Sequence, residues 1–418
     1  MAGLPQRVLS LLIAFLACVL LVSPGGACPF CGMQGQTLTG EVGQAKLVLY
    51  GQLTNAKEQN NGDGTTDLVV ETAIKNELQG KEGDPLADGN KTVRLERFLP
   101  PQPESDKYRY LAYCDVFKGK IDPYRVLPVL KDGDMAKYLL GALAHKDEKI
   151  GKRLRFFFDY LDNPDLEISN DAYKEFGNAD YKDYKDMAKD LPAETLVKWL
   201  KDPNTPGFRY GLYASMLGHC GKAEHAKLLR EMLEDPDKKV VTGADGILAG
   251  YIMLQPKEGQ TYLRSVLKDE KKEFTQRYAA LRAARFFHDS RPDVVSRADV
   301  VRAVALLLEQ SDIADLAIED LRKWGCWDMT DTILDLYGKE SHNVPIIRRS
   351  ILRFALCARD VNADGSVNKD KANPKAAAFV AELRKKDAEM VESAEELLRL
   401  ETTPATPAKG NEKTAGGK

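Results

Sequence analysis

Six times between Leu161 and Leu336 the chain closes an apolar helical run on a leucine, crosses a short polar or acidic turn and starts another helix. The closing leucines are Leu161, Leu200, Leu233, Leu267, Leu308 and Leu336, spaced 39, 33, 34, 41 and 28 residues apart. One supersecondary unit of that length cannot bury its own apolar face, so units repeated at this period stack into a helical solenoid. Such an array presents an extended surface, and the expected work of the chain is binding.

From Asp134 the apolar residues recur at helical period: Met135, Leu139 and Leu143 share one face, as do Leu154, Phe157, Phe158 and Leu161. Helices are expected to about Leu400, broken at Asn163-Pro164, Asp202 to Gly207, Asp235-Pro236 and Arg291-Pro292. The 418 residues are 43% hydrophobic, enough for two or three cores, and 60 basic against 63 acidic residues leave a formal charge of −3. No global field draws such a chain to nucleic acid or to an anionic membrane, and no nucleic-acid motif stands out.

Residues 28–132 read differently. Ala45–Leu53, Asp67–Ile74, Thr92–Leu99 and Tyr108–Val116 are short runs rich in β-branched and aromatic residues, separated by Asn60 to Gly64, Gly83 to Pro85 and Pro100 to Pro103. Strands with such breaks suggest a small barrel or sandwich. Leu47 and Leu49 alternate with Val48 and Tyr50, so the first strand is expected to be buried on both sides. Cysteines near residue 28, the strand AKLVLYGQLTNAK, the run Ile74 to Gly80 and the strand KYRYLAYCDV together resemble the netrin-like OB barrel of tissue inhibitors of metalloproteinases. The resemblance implies a β barrel. Those inhibitors begin Cys-x-Cys, whereas this chain has Cys28-Pro29-Phe30-Cys31, so protease inhibition is not carried over.

The first 27 residues read as a secretory signal: Arg7, the apolar run Val8–Val22, then small residues before a cleavage point after Ala27. An uncleaved anchor is the alternative, although the run is shorter than the roughly 20 residues of a span. The expected location is extracytoplasmic, periplasmic or secreted, with no membrane span once the signal is removed. In an oxidising compartment Cys28, Cys31 and Cys114 are disulfide candidates: the first two pair with each other, or one reaches Cys114. Cys220, Cys326 and Cys357 lie in repeat-like sequence as small apolar groups. A redox dithiol needs a preceding strand and a following helix, and Gly32 to Gly43 is too glycine-rich for a helix. A disulfide pinning the new N-terminus is the favoured reading.

Within the repeats, Arg209, Arg277 and Arg348 open second helices and follow Asp202, Asp269 and Glu340 by seven or eight positions. This resembles the HEAT-repeat pattern over about residues 147–360. The resemblance implies a structural ladder of acidic turn residues and arginines between neighbouring repeats; a basic stripe for an anionic ligand is the alternative. Of the aromatic groups, Phe156, Phe157, Phe158 and Tyr160 cannot all face inward on one helix. Tyr173, Tyr181 and Tyr184, in a polar insert Asp171–Asp190, are expected to pack the β region against the first repeat, and Trp324 and Trp327 to be repeat core.

One loop offers a cofactor. Asp360, Asn362, Asp364, Ser366 and Asn368, with Gly365 for the turn, resemble a calcium loop of EF-hand type; Lys371 stands at the twelfth position, and Asp370 is the substitute carboxylate. No catalytic constellation emerges among the five histidines, and the chain is not expected to be an enzyme. The segment 401–418 is a polar, flexible tail. The sequence therefore suggests a multidomain β plus α protein: signal 1–27, small barrel 28–132, HEAT-like solenoid 133–400 and tail. With CPFCGMQGQTLTGEV at residues 28–42, it resembles secreted HEAT-repeat proteins of planctomycete-type bacteria. The expected function is a binding or scaffold protein with a protein or peptide partner; the alternative is an exported thiol-redox or metal-dependent protein using Cys28 and Cys31.

Overall fold

The computed structural model describes residues 28–60, 63–103, 105–235, 242–359 and 373–402. The leader, the loop 360–371 with its calcium candidates and the tail after residue 402 lie outside the described residues. The chain divides into two compact units, Gly26–Leu254 and Gln255 onward. Strands do give way to helices near Asp134, but the sheet shares its unit with every helix up to Leu254.

In the first unit five antiparallel strands, β1 Leu47–Asn60, β2 Asp63–Asn76, β3 Thr92–Leu95, β4 Tyr108–Phe117 and β5 Lys120–Leu130, take the order β3-β2-β1-β4-β5. Alternate residues decide the two faces. Leu47, Leu49, Leu68, Val70, Val93, Leu95, Tyr110, Ala112, Cys114 and Ile121 share one core. On the opposite face Val48, Tyr50, Leu111 and Tyr113 are also buried, so β1 is covered on both sides as its sequence implied. The two end strands come together just past β3, where Glu96 N donates to Ile121 O at 3.3 Å and Lys120 Nζ pairs with Glu96 at 3.0 Å. Strand β5 was not among the four runs read from the sequence, and it contains Pro123 and Pro128. Both are tolerated in the last strand of the order, where a missing N–H need not interrupt a ladder.

The helices of this unit are α1 Leu38–Gln44, α2 Met135–Ala144, α3 Ile150–Phe158, α4 Leu166–Asn178, α5 Tyr181–Tyr184, α6 Ala193–Lys201, α7 Tyr210–Cys220, α8 Ala226–Glu234 and α9 Ala244–Leu254. Helix α1 corrects an expectation, since the glycines between 32 and 43 were read as excluding a helix. Thr37 caps it, its Oγ1 accepting from Gly40 N at 2.9 Å, and Leu38, Glu41 and Val42 are buried beneath it. Capping and burial outweigh the roughly 1 kcal/mol that a glycine costs inside a helix.

The second unit is helical: α10 Pro256–Lys268, α11 Phe274–Ser290, α12 Arg297–Val304, α13 Ala314–Lys323, α14 Thr330–Leu334, α15 Pro345–Ala358, α16 Pro374–Lys386 and α17 Ala388–Thr402. Among the described residues no helix is long and apolar enough to cross a membrane. Five of the closing leucines, Leu161, Leu200, Leu267, Leu308 and Leu336, are at most 4% exposed, while Leu233 is half-buried. Three of them share a further device. A carbonyl at a helix end has no intrahelical donor and must find one when buried. Arg209 Nη1 donates to Leu161 O at 2.8 Å, Gln310 Nε2 to Leu267 O at 2.7 Å and His342 Nε2 to Leu308 O at 2.8 Å. In each case the buried donor comes from a later turn of the chain, so consecutive helical units are tied by hydrogen bonds as well as by packing.

Candidate functional site

The cysteines at 28 and 31 open a segment that is tied to the helices of the first unit by several side-chain hydrogen bonds. Cys28 and Cys31 are joined as a disulfide; Cys28 is 3% exposed and Phe30 between them 4%. Cys114, the other candidate, is a free thiol in β4. Burial and the carboxylates of Asp122 and Asp115 push its pKa up to about 12, which keeps it protonated and inert.

Helix α4 holds the strand-like run that follows. Gly32 N donates to Tyr173 Oη at 3.0 Å, and that hydroxyl donates to Phe208 O at 2.8 Å. Asn178 clasps Gly35 twice, accepting from its N at 2.9 Å and donating to its O at 2.8 Å. The backbone passes so close that a Cβ on Gly177 would lie 2.0 Å from Met33 O. Asp171 Oδ1 accepts from Leu38 N at 2.5 Å and Oδ2 from Tyr138 Oη at 2.9 Å. Glu175 accepts from Thr39 Oγ1. Tyr173, Tyr181 and Tyr184 are all buried, and Tyr173 fastens the cysteine loop to the helices.

Asp171 is 2% exposed, and desolvation raises its pKa to about 6 despite the hydrogen bonds from Leu38 and Tyr138. A carboxyl with a raised folded pKa contributes most stability when protonated, below its unfolded value near 4; that contribution is lost as pH rises through about 6. The shift amounts to about 3 kcal/mol. Asp171→Asn should therefore stabilise the segment relative to wild type at pH 7 and show no such advantage at pH 4. Hydrogen exchange of the α1 and α4 amides across that range checks the sign; a pH-independent difference would refute it.

None of the three expected acidic-arginine pairs forms. Arg209, 4% exposed, leaves Asp202 aside and reaches Leu161 O, Ser169 Oγ and Asn170 Oδ1. Asp202 instead accepts from Asn204 N within its own turn. Arg277, also 4% exposed, grips Asp312 through both terminal nitrogens at 2.8 and 2.5 Å and Gln310 at 2.7 Å. Asp269 caps its own turn through Lys271 N. Arg348 lies on Tyr337, donating to its hydroxyl at 3.0 Å, and not on Glu340. For Asp202 and Asp269 the reason is shared: the short turn uses its acidic side chain for local N–H groups, so the arginine bonds elsewhere. Two of these arginines are inside the protein and are not a surface stripe.

Trp324 and Trp327, expected as core, are half-buried; Trp324 stacks on His288 with ring centroids 3.9 Å apart. Of the aromatic run, Phe157 and Phe158 are 2% exposed, whereas Phe156 and Tyr160 stay half-buried and pack on Tyr138. Among the described residues no three His, Cys, Asp or Glu side chains converge so as to hold a metal ion. The exposed apolar side chains are of another kind. Phe274 is 42% exposed at the start of α11, and Val344 and Ile346 are 40% and 60% exposed at the start of α15. Each lies at the start of a helix that carries one of the spaced arginines, Phe274 three residues before Arg277 and Val344 and Ile346 four and two before Arg348. Comparison of this chain with protein-family models, with curated proteins and with solved structures finds no match.

Proposed function

We propose that the protein is an extracytoplasmic binding or scaffold protein whose helical region takes a protein or peptide partner on its surface. In this reading residues 45–130 close as a small OB-type barrel of netrin-like kind, supported by the meeting of the end strands at Glu96 and Ile121. The helices after it form a HEAT-like solenoid, supported by the side-chain to carbonyl ties at Leu161, Leu267 and Leu308. The observation that carries the reading is the exposure of Phe274, Val344 and Ile346 at the starts of two helices of the second unit. Desolvating such anchors is where most binding energy arises. The buried disulfide, meanwhile, supports a tie rather than a turnover site.

The test uses the mature full chain as bait against an extracytoplasmic fraction, beside the Phe274→Ser/Ile346→Ser double variant. A protein retained by wild type and lost by the variant is the expected result. Retention of nothing above a blank column sinks the reading. Alkylation of the native protein without reductant separates the redox alternative: Cys28 and Cys31 should stay unlabelled, and rapid labelling of both would favour thiol chemistry.

A further inference from the structure

The last helix of the second unit is held in an unusual way. Helix α17 packs on α15 and α16, yet of its apolar side chains only Val391 and Ala394 fall below 5% exposure, while Leu397 and Leu400 face outward at 48% and 61%. Charge does much of the holding. Glu395 accepts from Arg384 at 2.7 Å and Arg359 at 3.3 Å. Glu401 accepts from Arg322 at 2.9 Å and also from Arg353, and Glu319 joins the same two arginines at 2.8 and 3.2 Å. Glu401 is in the last turn of its helix, where the macrodipole disfavours an anion. The arginine pair is what makes that position favourable. The clasp is also incompletely satisfied: Glu319 Oε1 and Arg353 Nε are buried without a hydrogen-bond partner.

The connection to α17 is a single residue. Asp387, at φ −153° and ψ 79°, separates α16 from α17. Its N already donates to Leu383 O at 2.8 Å and its O already accepts from Val391 N at 3.4 Å, both helical i to i+4 pairings. Turning this one residue to helical angles would fuse Pro374–Thr402 into one helix about 44 Å long. The fusion would give helical acceptors to N–H groups that a helix start leaves without them. It would also carry Glu401 out of reach of its own arginines.

We infer that α17 exchanges between two copies of this chain: the Asp387 hinge opens, and Glu401 of each copy seats in the Arg322 and Arg353 clasp of the other. The contacts made by α17 are the same in either arrangement, so the balance rests on the hinge and on the new surface between copies, where the outward Leu397 and Leu400 are available. Short hinges of this kind favour exchange. The inference is independent of the partner-binding reading above, because its readout needs no other protein.

The full mature chain is tested by sedimentation over a range of concentrations. Asp387→Ala removes the cap to Met390 N, a 3.0 Å bond, and favours the fused helix, so it should raise the dimer fraction several-fold over wild type. Reciprocity is read from two charge reversals, Arg353→Glu and Glu401→Arg, each of which places like charges together within one copy. Alone, each should be monomeric with fast-exchanging α17 amides. Mixed in equal amounts they should form a 1:1 heterodimer in which both clasps are again oppositely charged, with α17 protection restored. A mixture that stays monomeric while circular dichroism shows both variants folded overturns the inference, as does an Asp387→Ala protein no more dimeric than wild type.

Discussion

Gly250→Ala should destabilise the first unit by about 3 kcal/mol, the upper range for overpacking a filled core, although it puts the best helix former into the middle of a helix. Propensity alone predicts the reverse sign, a gain of up to about 1 kcal/mol. The backbone decides. Helices α7 and α9 cross through a stripe of small residues: a Cβ at Gly250 would lie 2.2 Å from Ala214 O, and one at Gly246 would lie 2.3 Å from Gly211 O. Neither obstacle is a side-chain tip that can swing away. The helices would have to separate, and Leu212, Leu217, Ile247 and Ile252, all fully buried around the crossing, would lose contact together. Because the chain holds two compact units, the effect is best read locally, as the loss of protection of the α7 and α9 amides in native-state exchange. A surface alanine in the same unit serves as control, and a stabilised α9 would show that the crossing is looser than described.

The same glycines show what a sequence can and cannot say. The closing leucines were legible because burial at a fixed period is a one-dimensional signal. Strands β1 to β4 were legible because β-branched and aromatic runs between turn residues have few other uses. Helix α1 was not, because its stability comes from Thr37 and from Asp171, more than a hundred residues away. The disulfide was left open between two partners, since spacing alone cannot say that α4 draws the Cys28 loop away from Cys114. Nor did the sequence place Asp171 in the site, as a carboxylate in a polar insert carries no sign of a desolvated neighbourhood. The unit boundary at Leu254 was equally hidden, because periodicity marks where strands become helices and not which helices pack on the sheet.

The arginines are where local reading and tertiary structure diverge most sharply, and the difference can be measured. Sequence spacing pairs Arg277 with Asp269; the fold pairs it with Asp312, 35 residues further on. Arg277 is 4% exposed, and besides Asp312 it serves Lys272 O at 3.0 Å and Gln310 Oε1 at 2.7 Å. Gln310 in turn donates to Leu267 O, so one guanidinium orients the side chain that completes a closing leucine. Arg277→Ala would leave the buried Gln310 Oε1 without its donor and Asp312 without its ion-pair partner. The expected loss is about 3 kcal/mol, the upper range for losing hydrogen bonds to a charged group together with a buried acceptor left unsatisfied. Asp312 is half-exposed, its side chain 53% accessible, and Arg277 holds its carboxyl below the usual carboxylate pKa. Water can take the place of part of what its removal exposes, so Asp312→Asn should cost only about 1 to 2 kcal/mol. Asp269→Asn should change stability by less than about 0.5 kcal/mol, since an asparagine oxygen still accepts from Lys271 N. Denaturant unfolding followed through the α11 amides ranks the three variants. Were Asp269→Asn the costlier of the two acidic changes, Asp269 and not Asp312 would be the true partner of Arg277.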